Sequence, residues 1–234
     1  MLLAAGRGER MRPLTDHTPK PLLPVQGRAL LDWHIAALLR DGVAQVLVNT
    51  AWLGAHIAQH LDATWRGSPL QLRYSHEQDD FGHALETAGG IARALPQLPP
   101  VFWLAAGDVF VPDFVFDPAA HAAFAASADL AHLWLVPNPA HNPQGDFGLA
   151  AGRALNLPAD SPMPRYTYST IGLFKAALFS APWCALAPGN PTGQAAPLAP
   201  LLRRAMDAGR VGASLYTGRW TDVGTPQRWA ELQQ

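Results

Sequence analysis

Two short apolar runs constrain this chain most: "AQVLVN" at residues 44–49 and "VFWLAA" at residues 101–106. Each has the length of a β-strand, and neither shows the strict polar alternation of a strand with one wet face. Strands of this kind must be covered on both faces. The intervening segments supply the covers. Residues 29–40 place Leu30, Leu31, Ile35, Leu38 and Leu39 at helical spacing and stop at Asp41-Gly42. Residues 53–61 and 85–95 also read as helices, the second with glycines in its first turn. Leu2–Ala4 reads as the end of another buried strand, and residues 70–74 alternate like a strand. Strand and helix thus take turns, which predicts an α/β fold: a Rossmann-like, mostly parallel central sheet with helices on both faces. Further on, residues 130–136, 147–154, 166–174 and 214–217 read as strands and 198–208 as a helix. Residues 137–145, rich in Pro, Asn and Gly, read as a loop. No repeat or linker divides the 234 residues, so one domain over 1–234 is expected.

Charge and cysteine content exclude several functions. The formal net charge is −1 with no basic run, which argues against nucleic acid as a partner. Cys184 is the only cysteine, so an internal disulfide framework and a multi-cysteine zinc site are ruled out. No apolar run reaches membrane-spanning length, and Met1–Ala5 is far too short for a signal-peptide core. The expectation is a cytoplasmic globular protein, without a membrane partner, as a monomer or small homo-oligomer.

The opening stretch, "MLLAAGRGERMRPLTDHTPKPLLPV", carries the chemistry. A small-residue turn after a first buried strand is where α/β folds bind phosphate, because glycine lets backbone N–H groups approach an anion. The Walker pattern is absent. The dinucleotide pattern lacks its third glycine, since Gly6-Arg7-Gly8-Glu9-Arg10-Met11 ends in methionine. Pro13 and Pro19 prevent a long helix from starting there. What remains is a stiff loop presenting Arg7, Arg10, Arg12 and Lys20, suited to a polyphosphate. Pro19 and Pro21 flank Lys20 and should hold it in a narrow, extended range.

Two acids complete the pattern. Asp108 follows the strand "VFWLAA", at a carboxyl end where α/β ligands bind. Asp222 lies in "GRWTDVGTP", another apolar-to-glycine transition. Carboxylates from two distant segments can share one hard cation such as Mg²⁺, with water and phosphate oxygens completing its shell. Taken singly, either would be an ordinary turn residue or cap.

These residues resemble the sugar-phosphate nucleotidyltransferases, whose L-A-A-G-x-G-x-R-M-x-P-L-T…P-K-P-x-x-P motif the opening stretch matches over its length. "LETAGGI", "AGDV", "GDFGL" and "WTDVGTP" follow in that family's order. The resemblance implies an enzyme that joins a nucleoside triphosphate to a sugar 1-phosphate and releases pyrophosphate. Within the family, the length and "YSHE…ALETAGGI…GDFGL" look most like the short bacterial uridylyltransferases acting on a cell-wall sugar. Thymidylyl-, other uridylyl- and guanylyltransferases are the alternatives. The resemblance also assigns roles. Ala4, Ala5, Gly6, Gly8, Glu9, Arg10, Lys20, Thr87, Gly89 and Ala106 would bind nucleotide; Glu86, Gly90 and Asp146 would bind the sugar phosphate. Arg10, Lys20, Asp108 and Asp222 would be catalytic, with Asp108 and Asp222 ligating Mg²⁺. A non-catalytic nucleotide-sugar sensor on the same fold would tend to lose one of those four residues, and this chain keeps them all.

Other residues have plainer readings. His56 and His60 stand four apart on a predicted helix but lack the glutamate that zinc peptidases place between such histidines, so a solvated helix face is expected. Trp33, Trp52, Trp65, Trp103 and Trp134 read as packing residues and Cys184 as a buried, idle thiol.

Overall fold

In the computed structural model, which describes residues 1–233, the two apolar runs flank the first strand in one nine-stranded sheet. The first half runs β1 (Leu2–Ala4), a β2–β3 hairpin (Pro24–Val25 and Arg28–Ala29), α1 (Leu30–Arg40), β4 (Gln45–Thr50), α2 (Gly54–Thr64), β5 (Gln71–His76), the short α3 (Glu77–Phe81), α4 (Glu86–Ala94) and β6 (Val101–Ala106). The second half adds β7 (Val109–Phe110), α5 (Pro118–Ala126), β8 (Ala131–Val136), β9 (Phe147–Ala150), β10 (Arg153–Leu155), β11 (Arg165–Lys175), α6 (Ala199–Asp207), β12 (Val211–Leu215), β13 (Thr221–Asp222) and α7 (Pro226–Glu231). The strand order is β5-β4-β1-β6-β11-β8-β12-β10-β9. Strands β5, β4, β1 and β6 are mutually parallel, as the alternation with helices predicts. Beyond β6 the sheet is mixed: β11 runs antiparallel to both β6 and β8, and β12 returns parallel to β8.

The helices cover both faces. Along β6, Phe102 and Leu104 enter a core shared with Ile91 of α4 and Leu202 of α6, whereas Trp103 and Ala105 face Ile35 of α1 and Ile57 of α2. This is the period-two alternation of a strand buried on both sides. A smaller cluster, with Met11, Val25, Leu30, Phe110 and Val223, fastens the opening loop and the β13 turn to the end of the sheet. Among the described residues no helix is long and apolar enough to cross a membrane.

Several expectations are corrected. Residues 147–154 form a hairpin of two strands, because Ala151 and Gly152 both take positive φ and turn the chain. The last long strand is Val211–Leu215 and not 214–217, since Val211 and Gly212 already pair with β8. The helix read at 53–61 continues to Thr64. Helix α5 has no strong sequence signal: its alanine-rich run buries only Phe124 and is started by Asp117, whose carboxylate accepts the Ala119 N–H at 2.8 Å. His60 is not a free surface group. Its Nε2 lies 2.7 Å from the buried Asp32 carboxylate, which also accepts the Trp65 indole N–H at 2.8 Å and so ties α1 to α2. Cys184 is buried, as expected.

His34 of α1 donates Nε2–H to the Val109 carbonyl at 2.9 Å, and burial lowers its pKa to about 4. An unfolded histidine titrates near 6.5, so between those values the unfolded chain binds the extra proton and stability falls with pH. We expect His34 to cost about 3 kcal/mol as pH drops from about 7 to 4. His34→Gln should flatten that part of the stability–pH curve, measured by urea unfolding at pH 7 and pH 5; parallel curves would exclude the effect.

Candidate active site

The opening loop leaves the carboxyl end of β1 and folds back onto its own side chains. Gly8 takes φ +67, and a Cβ there would sit 3.1 Å from Thr15 and 3.2 Å from Lys20, so glycine meets both a conformational and a spatial demand. The Thr15 hydroxyl donates to the Gly8 carbonyl at 2.9 Å. Arg7 stacks 3.6 Å over the ring of Trp52 and donates to the Thr15 carbonyl, which also accepts the Trp52 indole N–H. Arg7 and Arg12 both reach Asp16. Two of the four loop cations therefore brace the loop. Arg10, exposed and in no ion pair among the described residues, remains for a ligand.

Lys20 is nearly buried, at 7% exposure. It opens a short 3-10 turn over Lys20–Leu22 where extended chain is expected, because Leu22 N–H and Leu23 N–H bond back to the Pro19 and Lys20 carbonyls. Its ammonium is fixed by acids. Nζ lies 2.5 Å from Asp108 Oδ2 and 4.0 Å from Asp222 Oδ1. The two acids meet because β13 pairs antiparallel with β7, setting Asp222 opposite Val109, the neighbour of Asp108.

Two adjoining cavities open at this end of the sheet. One, of about 500 Å³, takes in Ala4, Ala5, Gly6, Gly8, Glu9, Arg10, Lys20 and Asp108, with Gly224 at its edge. The other, of about 550 Å³, holds Asp146, Phe147, Tyr168, Thr170 and Arg203. Glu86, Thr87 and Ala106 line both. The residues expected to bind nucleotide thus gather largely in the first cavity, and Asp146 falls in the second. Gly89 and Gly90 line neither. They are buried in α4, where a Cβ on Gly89 would meet the Gln194 carbonyl and one on Gly90 the Glu77 carboxylate. Their service is to close packing behind the cavities.

The Glu77 carboxylate is fully buried. It accepts the Asn49 amide at 2.7 Å and the Leu85 N–H at 2.7 Å, while Asn49 in turn accepts the Ala4 N–H at 3.0 Å. Burial pushes its carboxyl above the usual range, and the two donors pull it back. One chain of hydrogen bonds thereby joins the end of β1 to the segment carrying Glu86, whose own φ is +57. The carboxylate of Asp146 is also engaged, by the Tyr168 N–H at 2.8 Å and the Asn142 amide at 3.2 Å.

The second cavity carries backbone strain. Thr170 sits at φ +66 where β11 shifts register against β8, an outlying conformation for a β-branched residue of the kind that gathers at functional sites. The Tyr168 hydroxyl is buried without a partner.

This geometry can be set beside known proteins. The model of the nucleotidyl transferase family matches residues 1–154. The chain belongs to that family. It is 43% identical to the N-acetylmuramate alpha-1-phosphate uridylyltransferase of Neisseria meningitidis, across 100% of this chain and 96% of the relative. The protein of the same name from Caulobacter vibrioides is 30% identical, across 97% of this chain and 92% of its own. Among solved structures, the inositol-1-phosphate CTP transferase from T. maritima superposes with a TM-score of 0.73 over 100% of this chain and 95% of its own, at 16% identity. That likeness concerns the fold.

Sequence reading misses Asn49, Glu77, Tyr168 and Arg203. Asn49 passes for an ordinary strand residue. Glu77 could be noticed as an acid directly after a strand, but its partners lie 28 and 8 residues away. Glu77→Ala strands two buried donors and should cost about 2–4 kcal/mol, read from urea unfolding; a loss below about 0.5 kcal/mol would show that water replaces the carboxylate.

Proposed function

We propose that this nucleotidyltransferase moves a uridylyl group from UTP to N-acetylmuramic acid α-1-phosphate, giving the UDP-sugar and pyrophosphate. Similarity to the Neisseria meningitidis enzyme over the whole chain suggests the substrate pair. The observation that carries it is Arg203. It is the cation lining the second cavity, and among the described residues no carboxylate pairs with it. The guanidinium lies 5.2 Å over the Phe147 ring and gives one N–H to Asn156 Oδ1 at 2.7 Å, which leaves other donors free. N-acetylmuramic acid differs from glucose or mannose in bearing a carboxylate, and arginine is the side chain best shaped to receive one.

In this reading the first cavity holds the triphosphate on the backbone of Ala4–Gly8, with Arg10 and Lys20 on its phosphates. The Asp108 carboxylate, which lines the cavity, and that of Asp222, which reaches the same Lys20 ammonium, suit a hard divalent ion such as Mg²⁺, which would supply charge neutralisation at the phosphates when bound. A phosphate oxygen of the sugar 1-phosphate attacks the α-phosphorus, a new P–O bond forms, and the α–β bridging bond breaks. Pyrophosphate carries away the charge that grows on the bridging oxygen. No covalent enzyme intermediate is needed; orientation and neutralisation are sufficient. Asp108 holds the Lys20 ammonium at the cavity before substrate arrives, so little ordering remains to be done on binding.

Asp108→Asn and Asp222→Asn should each lower kcat at least ~100-fold, and Asp108→Asn, which strands the buried Lys20 ammonium, should also loosen the opening loop, whereas Asp222→Asn leaves the fold intact. Lys20→Ala should lower kcat strongly with a smaller change in the KM for UTP, the mark of a contact strongest in the transition state. Pyrophosphate release over a grid of triphosphates and sugar 1-phosphates tests the substrates. Arg203→Leu should remove the preference for N-acetylmuramic acid 1-phosphate over N-acetylglucosamine 1-phosphate. Higher kcat/KM with glucose 1-phosphate and dTTP would overturn the substrate assignment.

A further inference from the structure

Asp222, read above as one of two acids for a divalent ion, is already occupied by a residue outside that reading. Arg228 Nη1 donates to Asp222 Oδ2 at 2.8 Å, and the Arg228 side chain is only 14% exposed. The arrangement is built rather than incidental. Helix α7 is capped by Thr225, whose hydroxyl accepts both the Arg228 N–H and its Nε–H at 3.4 Å. Gly224 lacks the Cβ that would collide with this guanidinium and lie 3.0 Å from Asp222 Oδ2. The ring of His141, from the loop before Asp146, lies 2.8 Å from the same Nη1 and 3.4 Å from Asp222 Oδ2. Lys20 stands toward the other oxygen of Asp222 and is bonded to Asp108. Each of the two acids is therefore matched by a permanent cation.

We propose that Arg228 guards Asp222, so that a divalent ion enters this site only together with the triphosphate. The proposal rests on the reading of Asp108 and Asp222 given under Proposed function. A free dication approaching the pair meets two fixed positive charges whose attraction for the acids is already satisfied. Two carboxylates would leave most of its shell to water, and among the described residues no cluster of three or more His, Cys, Asp or Glu side chains is placed to hold a metal. An ion that arrives on a triphosphate brings several negative charges with it. Those charges offset the repulsion and give Lys20 and Arg228 new anions to face. The competing account is that Arg228 only pins α7 to the sheet. The two accounts differ in what removal of the charge does to the free site.

Mn²⁺ serves as the probe, its free concentration followed by electron paramagnetic resonance on the full chain. Wild type, Arg228→Leu and Arg228→Gln are titrated alone and with a non-hydrolysable UTP analogue, and the Mn²⁺ held by the analogue without protein is measured separately and subtracted. Wild type should bind Mn²⁺ weakly alone and tightly with the analogue. Arg228→Leu should bind Mn²⁺ alone at least ~10-fold more tightly than wild type, which narrows the gap between the two conditions. Arg228→Gln, able to keep a neutral hydrogen bond to Oδ2, should share that gain, and it stands in if the leucine variant unfolds. Unchanged or weaker Mn²⁺ binding by the free variants overturns the guard and leaves Arg228 as a prop for α7. Failure of wild type to bind Mn²⁺ even with the analogue overturns the two-carboxylate reading itself, and the guard with it.

Discussion

The ion pair between Lys20 and Asp108 is the contact on which the rest of the site hangs. An ammonium this deeply buried is tolerated only beside a carboxylate, so the opening loop must return to the carboxyl end of β6. That return fixes the loop's other features. Gly8 has to be glycine because Thr15 and Lys20 pack against it. Arg7 and Trp52 close over the Thr15 carbonyl, and Met11 is drawn into the small core beneath. The short β7–β13 ladder then sets Asp222 beside the same ammonium. Lys20 thus holds the loop to the strand end, and Asp222, 4.0 Å from the same ammonium, is held in turn by Arg228 at 2.8 Å.

A second constraint acts on the opposite wall. Glu77, through Asn49, ties the backbone at Ala4 to Leu85 at the start of α4 without touching solvent. Gly90 exists in this setting to admit the carboxylate. The position of Glu86 and Thr87 between the two cavities is therefore set from behind, by groups a ligand never meets. Such an arrangement favours precision, because the lining residues cannot move without stranding a buried acid.

The sequence made the parallel half of the fold plain, since two-sided apolar strands and amphipathic helices leave few alternatives. It also showed the opening loop, Asp108 and Asp222, whose residue types announce phosphate and cation chemistry. Long-range pairing was hidden. Nothing in "RYTYSTIGLF" says that it will lie antiparallel between β6 and β8, and the β9–β10 turn rests on two positive φ values that no periodicity reports. Lys20 looked like a free cation because its partner is 88 residues away. Gly89 and Gly90 looked like pocket residues because a pair of glycines does not say whether it admits a ligand or another part of the chain. Arg203 carried no local sign at all: on an amphipathic helix, an arginine beside two buried leucines reads as a solvated edge.

The shared wall of Glu86, Thr87 and Ala106 has one more consequence. The two cavities adjoin across that wall, built from the first turn of α4 and the end of β6. A single molecule with an acidic group at one end and a uracil-like group at the other could occupy both at once. Its second half would then bind at an effective concentration set by a tether only a few atoms long, reaching the millimolar range or above. Such a bridging ligand would gain affinity from the adjacency itself, with no contact beyond those each half makes alone.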